Sequence, residues 1–79
     1  METEKQNYIL ILYEKMDGLP PIHKGFKAIT REDYKALTVD FKMNIEVNKT
    51  TWGIIERRYF KTPILDTMYY YVIIDAQKI

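Results

Sequence analysis

His23 is the only histidine in the chain, and imidazole is the side chain best suited to moving protons near neutral pH. Catalysis would need partners for it. Serine and cysteine are both absent, which removes the commonest activated nucleophiles. A single histidine without cysteine lacks the usual donor set of a zinc site. Glu32 and Asp33 are adjacent in sequence and read as residues that complement the positive end of a helix, not as an acid–base pair. Gly18, Gly25 and Gly53 match no phosphate-loop spacing. His23 therefore reads as an exposed loop residue. No catalytic residue, cofactor or metal is expected, and the chain reads as a non-enzyme.

The remaining chemistry is recognition. Trp52, Tyr59, Tyr69 and Tyr71 are the candidate partner-binding residues, because tyrosine and tryptophan are enriched at the energetic centres of protein interfaces. Arg57-Arg58-Tyr59-Phe60-Lys61, with Lys24 and Lys27, offers an alternative. Cations interleaved with rings can hold a phosphate backbone while bases stack on the aromatics. As a strand, however, this stretch sends Arg57 and Arg58 to opposite faces. Residues 1–40 carry six basic and seven acidic groups, and residues 41–79 carry six and four. Neither half has the basic excess of a nucleic-acid footprint. Lys24-Gly25-Phe26 resembles the start of the RNA-recognition-motif signature, and Tyr8–Tyr13 resembles its first strand. The two lie too close together to hold that fold's intervening helix and strand, so the resemblance is rejected.

Met68–Ile74 must position these rings. It is apolar or aromatic throughout and too short to span a bilayer as a helix, and its composition favours a strand. Met68, Tyr70, Val72 and Ile74 point to one face, and Tyr69, Tyr71 and Ile73 to the other. Neither face is polar, so both need at least partial cover. Residues 4–16 are expected to be a helix, with a Thr3–Gln6 capping box and a stripe of Ile9, Leu12, Tyr13 and Met16. A buried strand over Tyr8–Tyr13 is the competing reading. Asp17–Ala28, with Gly18, Pro20-Pro21 and Gly25, reads as a loop. Thr30, with Asp33 as capping-box partner, opens a second helix that ends near Val39. Phe41, Met43, Ile45 and Val47 alternate with polar residues as a half-buried strand, and Asn48–Thr50 reads as a turn. Thr51–Lys61 is expected as a second strand, with Trp52, Ile54 and Phe60 on one face and Ile55, Arg57 and Tyr59 on the other. Residues 61–67 return the chain through Pro63, and Asp75–Ile79 is expected to fray.

The expected fold is thus α+β: two short N-terminal helices packed on a three-stranded antiparallel β-meander, in a single small domain spanning 1–79. With 47% hydrophobic residues the chain can build a core, although so small a body buries only about 60–65% of its unfolded surface. The polar start, Met1 to Gln6, has no signal-peptide layout, and the first helix lacks the basic face of a membrane-surface helix. These features point to a cytoplasmic protein without membrane association. The expected function is binding and regulating another intracellular protein through an aromatic sheet face, in the style of phage-encoded inhibitors of host enzymes. A homo-oligomer is possible, and nucleic acid is the alternative partner.

Overall fold

The computed structural model describes residues 5–39 and 44–79. Its elements run β1 (Lys5–Glu14), β2 (Ile22–Ile29), α1 (Arg31–Val39), β3 (Asn44–Val47), β4 (Thr50–Ile64) and β5 (Thr67–Lys78). The five strands form one sheet in the order β2-β1-β5-β4-β3. β1 and β5 pair in parallel, and every other pair is antiparallel. This mixed, mostly β sheet with one described helix replaces the expected pair of helices on a three-stranded meander.

The largest correction falls on residues 4–16, where Lys5–Glu14 is a strand. Tyr8–Tyr13 lies between β2 and β5, with Leu10 and Leu12 buried on one face and Ile9 and Ile11 half-buried on the other, so its unbroken apolar run is the sum of two strand faces. Gln6 sits in that strand, while Thr3, the other half of the expected capping box, lies outside the described residues. Gly18 takes a left-handed φ of 76° in the loop between β1 and β2. The expected loop over 17–28 also yields a strand, β2. Its burial pattern hides it, because only Gly25 and Ile29 are even partly covered.

Other elements follow the local sequence. α1 begins where expected: the Asp33 amide donates to Thr30 Oγ1 at 3.0 Å, and the Tyr34 amide to the Thr30 carbonyl at 3.0 Å. In β3, Ile45 and Val47 are buried and their neighbours exposed; Phe41 and Met43 lie outside the described residues. Asn48 and Lys49 turn the chain with φ values of 54° and 66°, the doubly left-handed backbone that tight hairpins use. β4 runs on through Pro63, and the reversal comes at Leu65-Asp66. β5 does not fray at Asp75, since both Asp75 and Ala76 are buried.

Register assigns the faces. Leu10 lies beside Val72 and Leu12 beside Ile74, and all four are almost wholly buried. With Leu37 of α1, Ile45, Val47, Trp52 and Ala76 they form the core on the inner face. The sheet curls around that core, so that Lys27 Nζ of β2 reaches the Glu46 carbonyl of β3 at 2.7 Å although these strands stand at opposite edges. A bulge between Ile54 and Glu56 shifts the β4–β5 register and reverses the alternation. Beyond it Arg57, Tyr59 and Lys61 share the inner face with Trp52 and Ile54, and Phe60 turns outward. The expected grouping of Trp52, Ile54 and Phe60 on one face is corrected accordingly.

Candidate functional site

The candidate residues divide between two faces and the core. Trp52 is 3% exposed and belongs to the core. Its Nε1 has no hydrogen-bond partner among the described residues, and the Lys78 ammonium stands 6.0 Å from its ring centroid. Tyr59 is on the inner face, where its hydroxyl donates to the Leu37 carbonyl at 2.6 Å. Arg57 donates to the same carbonyl through a guanidinium nitrogen. A helix leaves its last carbonyls unpaired, and α1 has no basic residue in its last turn. The two β4 side chains therefore satisfy the Leu37 carbonyl near the helix end, and Arg57 brings positive charge to it.

Around Tyr59 the inner face is a tyrosine cluster. Tyr8 stacks on Tyr70 with centroids 4.8 Å apart, and Tyr34 of α1 meets Tyr8, Tyr59 and Tyr70 at 5.1, 5.7 and 5.9 Å. Burial, then the neighbouring Tyr59, Tyr70 and Tyr8 phenols, push the Tyr34 hydroxyl above its ordinary pKa. A shallow cleft of about 290 Å³ lies beside it, lined by Tyr34, Tyr59, Phe60, Lys61 and Tyr70.

Tyr69 and Tyr71 are on the outer face. Tyr71 stacks on Phe60 at 4.8 Å with the planes 16° apart, and Tyr69 lies 6.4 Å from Tyr71. The β1, β4 and β5 registers extend this into a block. One row across the strands reads Ala28, Ile9, Tyr71, Phe60, and the next reads Phe26, Ile11, Ile73, Arg58. Asn7, Tyr69 and Thr62 bound it on one side, and His23, Tyr13 and Asp75 on the other. Phe26 is 70% and Phe60 46% exposed, and Ile9, Ile11, Tyr71 and Ile73 are half-buried. No described element covers this face; α1 packs on the other.

Arg58 and Asp75 form the block's ion pair, at 3.3 Å, with the Arg58 side chain 51% and that of Asp75 8% exposed. Asp75 Oδ1 is buried without a hydrogen-bond partner among the described residues.

The five candidate phosphate-binding cations are not brought together. Lys24 pairs with Glu14 at 3.4 Å, and Lys27 spans β2 to β3. Arg57 and Lys61 face inward, and Arg58 faces outward against Asp75. His23 packs its ring on Tyr13 at 5.4 Å. Among the described residues no group of three or more histidine, aspartate or glutamate side chains could hold a metal ion, and no helix is long and apolar enough to cross a membrane. Ile9, Ile11 and Phe26 are the contributors that sequence reasoning missed, whereas strand alternation already groups Ile73 with Tyr69 and Tyr71. The signal for the first two was present in the competing strand reading of Tyr8–Tyr13, where they alternate with Leu10 and Leu12.

Comparison with protein-family models, with curated proteins and with solved structures finds no match to this chain.

Proposed function

We propose that this chain is a non-enzymatic protein-binding module that regulates or inhibits a partner protein by covering part of its surface. The observation that supports this reading is the uncovered block around Tyr71, with Ile9, Ile11, Phe60 and Ile73. Four strands about 4.8 Å apart and rows about 6.7 Å apart give about 250 Å² in projection for the two central rows and about 500 Å² with the two bounding rows included. The apolar centre thus approaches the size at which patches on monomers are often functional. An apolar centre with stacked tyrosines inside a polar border of Asn7, Thr62, His23 and Arg58 also has the composition of a protein interface.

The test is capture from the native host's lysate on the immobilised protein, beside a Tyr71→Lys variant, with and without nuclease and at low and high salt. The expected result is a captured protein that survives nuclease and salt and is lost with Tyr71→Lys. Capture abolished by nuclease or by moderate salt overturns the reading in favour of nucleic acid.

A further inference from the structure

We infer that the outer face pairs with the same face of a second copy of this chain, giving a two-fold dimer in which two sheets pack face to face. The inference rests on reading that face as protein-binding, and the second copy competes with the regulated partner for it.

Area is the first argument. The roughly 500 Å² projection with the bounding rows included, before side-chain relief is counted, is of the same order as the roughly 800 Å² per partner of a standard specific interface. Stacked sheets are a stable way to bury apolar faces of this kind, at a separation of about 10 Å.

Charge is the second argument. The two central rows hold one ionised side chain, Arg58, and it is already paired with Asp75. A strongly acidic or basic partner gains nothing from such a block, whereas a second copy brings an equally neutral one. The whole chain has a net charge of +1, so two copies repel each other little at long range.

Sedimentation equilibrium on the full chain, from about 1 to 500 µM, tests the dimer. The expected result is a concentration-dependent rise from 9.5 kDa to twice that mass. Tyr71→Lys should weaken the dimer about 100-fold, as loss of a central interface residue does. Phe26→Lys should also weaken it, and it gives a second variant that folds normally because that ring is 70% exposed. Leu65→Lys, at the 97% exposed hairpin tip, should leave the dimer unchanged. A single 9.5 kDa species throughout, or a dimer indifferent to both Tyr71→Lys and Phe26→Lys, overturns the inference. In either case a lysate partner still lost with Tyr71→Lys would keep the protein-binding reading and refute only self-pairing.

Discussion

Lys49 and Leu65 hold left-handed φ angles of 66° and 57° without being glycine, at a cost of roughly 1–2 kcal/mol each. Lys49→Gly creates the Asn-Gly pair that tight hairpins prefer, and should raise stability by about 0.5–1 kcal/mol, read as a higher urea midpoint with unchanged slope. Tyr34 gives a pH prediction. Its folded pKa lies above the unfolded value, so the folded state holds that proton more tightly. The resulting stability is complete below the unfolded value near 10 and is lost as pH rises through the folded pKa. Unfolding followed by circular dichroism between pH 9 and 12 should show this alkaline loss, and Tyr34→Phe should make it shallower.

Among the elements, α1 is the one fastened by few groups. Its only fully buried side chain is Leu37, and the carbonyl of that residue accepts from Arg57 and Tyr59. Tyr59→Phe should cost about 1 kcal/mol, and Leu37→Ala about 3 kcal/mol. Hydrogen exchange should rise within α1 before it rises in β1 or β5. How far each element was legible in the sequence follows from where its partners lie. Thr30 and Asp33 cap a helix within one turn, and Asn48-Lys49 closes a hairpin locally, so both could be read directly. Ile9, Leu12, Tyr13 and Met16 match a helical stripe, yet Leu10 and Leu12 are committed to a strand by Val72 and Ile74, some 62 residues further on. That pairing overrides local pattern, as tertiary context commonly does. Pro20-Pro21 and Gly25 hid β2, and the bulge at Ile55 exchanged the faces of everything after it in β4. Within the candidate site, Tyr69 and Tyr71 were legible because β5 is apolar on both faces. Their companions Ile9, Ile11 and Phe26 could not be grouped with them until β1 and β2 were known to be strands.

Taken whole, the described residues form a curled sheet with cover on its inner side only. A salt dependence of partner binding would separate an apolar contact from an ionic one: across 50 to 300 mM salt the affinity should change less than about threefold, since steep slopes require several phosphate contacts.

β5, the central strand, is the last of the five to leave the ribosome, yet it occupies the slot between β1 and β4. Until it arrives, the β1–β2 hairpin has no second neighbour and Leu10 and Leu12 stay wet. Assembly therefore waits on distant parts of the chain meeting, which is slow relative to helical proteins of this length and leaves an open strand edge exposed to other nascent chains in the interval. Refolding from urea should accordingly take milliseconds to seconds, and a chain cut after residue 66 should aggregate rather than settle into a smaller version of this sheet.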